Sequence, residues 1–235
     1  MLDVRDLQAF YGQSQVLEGV NFQIQPGEIV ALLGRNGAGR STTARAIMGM
    51  VRWRGQISWK GQSLAGKKTF EVARLGLGYV AESRDIFPGL TVQQNLLLGQ
   101  TRDAMSRASA RRWTLEDMYR MFAPLHERQH APAGVLSGGE QQMLALCRTL
   151  MGNPDLVLVD EPTEGLGPKV VEQVASYLRQ MKDCGIAILL IEQKLALAMA
   201  VSDRALVLGQ GRIVFDGTPT ALRSDNRLRQ EWLAI

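Results

Sequence analysis

The sequence predicts an α/β fold with a mixed sheet core, an antiparallel β subdomain and an inserted helical subdomain. Three observations carry this expectation. Short β-branched runs alternate with helical patterns along the chain. The runs EIVALL, LVLVD and IAILLI are almost wholly apolar, as strands buried on both faces should be. The first two and last two strand candidates alternate polar with apolar residues around turns at Gly12 and Gly211, the pattern of antiparallel pairs.

Strands are expected, in order, over Leu2–Phe10, Val16–Gln25, Glu28–Leu33, Gln56–Trp59, Gly78–Ala81, Leu156–Asp160, Ile186–Ile191, Ala205–Leu208 and Arg212–Phe215. Helices are expected over Ser41–Met50, Thr69–Leu75, Ala110–Phe122, Gly138–Met151, Pro168–Lys182, Lys194–Val201 and Pro219–Arg223. Ser137 precedes one helix as a cap, Pro168 opens another, and Thr218-Pro219 combines cap and first-turn proline. The polar stretch Gln100–Arg112 reads as a surface segment. With no linker-like composition, one domain is expected over 1–235: a core from approximately 1–85 and 150–235, and a helical insert over 86–149.

Composition narrows the function classes. Of 235 residues, 46% are hydrophobic and 21% charged, as in ordinary globular proteins. The formal charge of +4 comes from scattered Lys and Arg, which argues for a solvated surface and against a nucleic-acid stripe. Cys147 and Cys184 lack partners at metal-ligand spacing and read as reduced core residues. MLDVRDLQAF carries charges where a signal peptide needs an apolar core. IAILLI is far too short to span a bilayer, so a cytoplasmic protein is expected.

Three motifs carry chemistry. GRNGAGRST stands between the strand EIVALL and the helix STTARAIMGM. There Gly34, Gly37 and Gly39 let backbone N–H groups turn inward around phosphate oxygens at the positive end of a helix. The phosphate-binding segment is therefore Gly34, Arg35, Asn36, Gly37, Ala38, Gly39, Arg40, Ser41 and Thr42, with the Ser41 hydroxyl placed for magnesium. LVLVDE is a buried strand ending in two acids: Asp160 suits magnesium, and Glu161 suits orienting or deprotonating a water. In LSGGEQQ, Ser137 caps a helix while Gly138 and Gly139 allow close backbone approach. Standing alone, the second motif is a weak signal, since many strands end in acids that merely face solvent, and the third is better read as an ordinary cap.

In this order, GRNGAGRST, LSGGEQQ and LVLVDEPTEGLGP resemble the ATP-binding subunits of ATP-binding-cassette (ABC) transporters, whose signature is LSGGEQQ. The resemblance runs from Tyr11 to about Thr220. RLGLGYVAESRDIFPGLTVQQNLLLG, GGEQQMLALCRTLMGNPDLVLVDEPTEGL and ILLIEQKLALAMAVSDRALVLGQGRIVFDG are most similar to the branched-chain amino acid transporter ATPases of LivF type. Close relatives in that group serve urea, short amides and other small polar solutes.

The resemblance implies a P-loop nucleoside triphosphate hydrolase fold, ATP and Mg2+ as cofactors, and hydrolysis coupled to transport. It implies a second ABC ATPase subunit packed head to tail, integral membrane permease subunits, indirectly a solute-binding protein, and no nucleic acid. The implied location is peripheral, on the inner face of the cell membrane. Tyr11 takes the position that stacks on adenine, with a half-buried strand tyrosine as the competing reading. Ser137, Gly138, Gly139 and Glu140 take the positions that close over phosphates held by the partner copy. Arg84–Pro88 resembles the joint that meets the membrane subunit, although Ile86 and Phe87 read equally as core. Gly165-Leu166-Gly167 resembles the interface loop, with Gly167 where many relatives have aspartate.

Other departures concern catalysis. Glu82 stands where many relatives have a glutamine touching magnesium and water. Gln193 stands at the switch position of a histidine; it can donate a hydrogen bond to phosphate but carries no proton at neutral pH. His126 and His130 lie in the helical insert, where exposed structural roles are expected, so Glu161 is the expected general base. Arg40 replaces the loop lysine, keeping the charge but bringing a wider planar fork. Weakened ATP affinity and slow turnover follow from that change. The alternatives are an ATP-binding but hydrolysis-deficient regulatory cassette paired with an active ATPase, or a urea/amide transporter ATPase.

Overall fold

The computed structural model describes residues 1–100 and 113–233. Two sheets organise them. β1 (Leu2–Tyr11), β2 (Ser14–Ile24), β4 (Arg52–Trp59) and β5 (Gln62–Ser63) form an antiparallel sheet in the order β2-β1-β4-β5. β3 (Ile29–Leu33), β6 (Leu77–Val80), β7 (Leu156–Asp160), β8 (Ala187–Ile191), β9 (Arg204–Gly209) and β10 (Arg212–Gly217) form the second, ordered β10-β9-β3-β8-β7-β6. All neighbours in it are parallel except β10 with β9.

The continuous apolar strands are explained by cover on both faces. Val157 and Val159 of β7 join one core cluster, and Leu156 and Leu158 join the other. The first cluster includes the helices α6 (Gly138–Leu150) and α7 (Pro168–Asp183). The second packs against α1 (Arg40–Ile47) and the inner face of the antiparallel sheet, through Leu2, Val4, Leu17 and Ile57. Each fully buried Leu or Val side chain contributes about 1.5–3 kcal/mol, so these strands are apolar up to Asp160 at the end of β7, whose carboxylate is met by hydrogen-bond donors.

Local signals set the helix ends. Ser137 caps α6 in a capping box with Glu140, and Thr218 caps α9 (Pro219–Ser224). The helix expected over Ala110–Phe122 is corrected: residues 110–112 lie outside the described residues, and α4 (Leu115–Met121) starts only after Thr114, which caps it with Asp117. Phe122 breaks it, and α5 (Ala123–Glu127) restarts with a proline in its first turn. Of the expected surface segment, only Gln100 is described, and it is exposed. α2 (Thr69–Arg74) and α8 (Leu195–Val201) fall within or one residue short of their expected bounds.

Some elements exceed the expectation. α3 (Val92–Leu98), capped by Thr91 with Gln94, and α10 (Asn226–Trp232), capped by Asp225, were not read from pattern. β4 begins at Arg52 rather than Gln56, because Arg52, Trp53 and Arg54 pair with Phe10, Ala9 and Gln8 of β1; the Arg52 and Arg54 guanidiniums also lie over the Phe10 ring, at 5.2 and 5.7 Å from its centroid. Among the described residues, no helix is long and apolar enough to cross a membrane.

Candidate functional site

The carboxyl ends of β3, β6, β7 and β8 point to one side, where ligands bind in open parallel sheets. A cavity of about 450 Å³ lies there, lined by Val16, Asn36, Gly37, Gly39, Arg40, Ser41, Thr42, Glu82, Glu161, Glu164 and Gln193. Five separated segments therefore converge on it.

The loop after β3 needs its glycines. Gly37 and Gly39 have φ of 80° and 104°, which disfavours side chains. A β-carbon at Gly34 would collide with the Leu208 carbonyl, and one at Gly39 with the Leu17 side chain. Gly39 is the N-cap of α1 and offers no side-chain cap, so the first N–H groups of that helix are left for a ligand.

Arg40 is buried, and its Nη2 lies 2.7 Å from Glu161 Oε1 while also donating to Asn36 Oδ1 at 3.1 Å. The planar fork folds back onto the acid expected to be the general base. Its Nη1 is enclosed yet has no hydrogen-bond partner. A buried donor left in that state costs about 1–3 kcal/mol. Beside a glycine loop, such a donor is suited to an anionic oxygen. The phosphates of ATP fit this cradle.

Asp160 is fully buried at the end of β7. Ser41 Oγ donates to its Oδ1 at 2.9 Å, and Tyr79 OH donates to its Oδ2 at 3.1 Å. Burial raises its pKa, and the Ser41 and Tyr79 bonds oppose that rise. Tyr79 is itself pushed up to about 12, first by burial and then by the Asp160 charge. Ser41 and Asp160, one hydroxyl and one carboxylate in contact, make an oxygen donor pair that fits magnesium.

Glu161 adopts a left-handed backbone, φ 46°, and its N–H donates to the Ile191 carbonyl of β8 at 2.9 Å. Burial raises its pKa; Arg40 lowers it, and Glu192, Asp160 and Glu164 raise it further. Glu82 and Gln193 are exposed and face the cavity from the ends of β6 and β8.

Other expected residues lie elsewhere. Tyr11 is 43% exposed, more than a half-buried strand tyrosine, and its hydroxyl accepts from Arg45 Nη1 at 3.2 Å; it does not line the cavity. Ser137, Gly138, Gly139 and Glu140 do not line it either. Ser137 is turned inward on its own cap: its N–H and hydroxyl donate to Glu140 Oε2 at 2.8 and 2.7 Å. A β-carbon at Gly138 would sit 3.0 Å from Arg84 Nη1 and one at Gly139 3.0 Å from Val170. His126 and His130 are exposed, the former stacked near Tyr119.

Sequence reasoning missed Val16 and Glu164, which line the cavity, and Tyr79 and Arg45, which stand behind Asp160. Tyr79 sits in GYV with nothing local to announce a bond to an acid on the neighbouring strand. Phe87 and Ile86 separate: Phe87 is 50% exposed under Arg148, whose guanidinium lies 5.2 Å from its ring, while Ile86 packs on the core.

The ABC transporter family model matches residues 17–164. The chain belongs to the ABC transporter family. It is an ATP-binding subunit of that family and, by membership, an ATPase. It is 36% identical over 99% of both chains to the high-affinity branched-chain amino acid transport ATP-binding protein BraG of Pseudomonas aeruginosa. It is 32% identical to the lipopolysaccharide export system ATP-binding protein LptB of Escherichia coli, over 99% of this chain and 96% of that one. A solved ATP-binding subunit of an ABC transporter superposes with a TM-score of 0.80 at 30% identity, covering all of this chain and 96% of the other. An ABC cassette solved in its ADP conformation shares the fold, with a TM-score of 0.83 at 23% identity over 98% and 97% of the chains.

Proposed function

We propose that this ABC ATPase energises transport of branched-chain amino acids or similar small polar solutes, as one of two head-to-tail cassettes under membrane permeases. The observation that carries the hydrolytic reading is the meeting of the glycine loop and Glu161 at one cavity, with Asp160 bonded behind it to the loop's Ser41. The likeness to BraG supports the solute class, and the weaker likeness to LptB keeps the ATPase reading independent of it.

In this reading the loop N–H groups from Gly34 to Thr42 and the free Arg40 Nη1 bind phosphate oxygens. Ser41 and Asp160 would hold Mg2+, with Glu82 alongside, and the ion would supply positive charge against the phosphates. Glu161 accepts the proton of the attacking water, and Gln193 donates to the phosphate that leaves. Tyr11 stacks on adenine, swinging from its bond to Arg45. Ser137, Gly138, Gly139 and Glu140 act on the partner's site, which suits their absence from their own chain's cavity. The groove between Met50, Arg84, Phe87 and Leu98 gives an apolar seat for a permease segment on the inner face of the cell membrane, and a solute-binding protein would deliver the solute.

Arg40 then has two tasks that compete. Its ion pair with Glu161 neutralises the base, and phosphate binding must draw the guanidinium away. Arg40→Lys is expected to raise kcat of the assembled transporter about a hundredfold. An unchanged kcat would sink this account of Arg40. The same 2.7 Å pair favours the second reading, a hydrolysis-deficient regulatory cassette. That reading wins if Glu161→Gln leaves the ATPase rate of the complex unaltered.

A further inference from the structure

We propose that Glu192 is a positioning residue of the hydrolytic site: its carboxylate clamps the turn carrying Gln193 to the loop that follows Glu161. The proposal rests on the ATPase reading above. Glu192 is 1% exposed, a burial that carboxylates tolerate only when their oxygens are met by donors. Here they are met. Its Oε1 accepts from the Thr163 hydroxyl at 2.6 Å, and its Oε2 accepts from the N–H groups of Gln193 and Lys194 at 3.1 and 2.9 Å.

The clamp is closed from a second side. Lys194 Nζ donates to the Thr163 carbonyl at 2.8 Å, so the hydroxyl and the carbonyl of a fully buried threonine both bond to the turn after β8. Glu192 N–H donates to the Leu32 carbonyl of β3 at 3.3 Å, and Glu161 N–H to the Ile191 carbonyl at 2.9 Å. Gln193 thus hangs between two fixed neighbours while its own side chain stays exposed at the cavity.

A carboxylate suits this junction because it only accepts, and all three donors point at it. An amide at position 192 keeps the volume but presents one acceptor oxygen and an NH2 group, so one of these contacts is remade. The consequence reaches chemistry through geometry. Gln193 and Glu161 stand at the ends of adjacent strands and must face one reacting phosphate. Displacement of such groups by about 1 Å costs about a hundredfold in rate.

The test uses Glu192→Gln, Thr163→Val and Thr163→Ser in the complete chain, assembled with its membrane subunits. Hydrogen exchange at the Gln193 and Lys194 amides, without nucleotide, reads the clamp directly. Kinetics with MgATP read its use. Glu192→Gln and Thr163→Val are expected to speed that exchange and to lower kcat at least about tenfold, with KM for ATP held within about twofold. Thr163→Ser keeps the hydroxyl and is expected to match the original chain in both measurements. Original rates of exchange and turnover in both damaging variants overturn the proposal. So does faster exchange with kcat untouched. An original complex that neither binds nor hydrolyses ATP removes the ATPase reading and this proposal together, whereas an active complex with indifferent variants removes the clamp alone.

Discussion

Arg40 and Glu161 show how one side chain redirects a site. A lysine ammonium ends in a compact charge, whereas the Arg40 fork reaches Asn36 and Glu161 together and leaves Nη1 without a partner. Glu161 also carries a pKa raised first by burial. A general base acts only when ionised, so the rate is expected to fall with decreasing pH through a point above 4.5, the ordinary glutamate value. A pH–rate profile of the assembled transporter checks this, and an acidic limb at or below 4.5 contradicts it. The sign for stability is opposite to that of a salt-bridged acid. With the folded pKa raised, the unfolded chain ionises first, and the contribution of Glu161 to stability declines as pH rises above 4.5. The glycine loop, Asp160 and Glu161 were legible at this scale, because each stands at a strand end within its own motif. Tyr79, Arg45 and Glu192 were not, since their partners are brought in by other strands.

Unbroken apolar runs and the caps at Ser137 and Thr218 were legible, whereas α3 and α10 went unread despite caps at Thr91 and Asp225, and β5 is made by contact alone. Ser137 and Thr218 place helix starts where the pattern has them. β5 has two residues and exists only because Ser63 and Gln62 pair with β4. α3 was missed, yet it holds a buried Asn95 whose side chain accepts from the Phe87 N–H at 2.9 Å and donates to the Phe87 carbonyl at 3.0 Å. This amide, with Arg148 donating to the Asp85 carbonyl at 2.7 Å, holds the exposed Phe87 at the groove. Asn95→Leu strands those backbone groups and is expected to lower unfolding free energy by about 1–3 kcal/mol, read by denaturant titration. Phe87→Ala removes an exposed ring and is expected to stay within about 0.5 kcal/mol while weakening recovery of membrane subunits. Equal losses in both would contradict this assignment of roles.

At the scale of the molecule, the signature segment and the cavity do not meet within one chain. In the proposed head-to-tail arrangement, one copy holds half of each composite site. Glu161→Gln with ATP is expected to shift the purified chain from monomer to dimer in analytical ultracentrifugation, because the nucleotide is held and not cleaved. Ser137→Arg added to that variant is expected to return it to monomer by placing bulk and charge at the helix N-terminus. Dimerisation that ignores ATP or Ser137 would exclude this arrangement.

The sequence by itself determined the α/β class, the glycine loop and the acids at the end of β7, since each follows from residue type and local spacing. Apolar continuity identified the buried strands because both their faces are covered. Only the tertiary structure decided that Arg40 rests on Glu161, that Tyr79 holds Asp160, and that Glu192 ties Thr163 to Gln193. Those pairs are remote in the chain and meet through strand order, which no local pattern encodes. The same packing keeps Ser137 on its own cap, away from the loop it was expected to serve only in a partner.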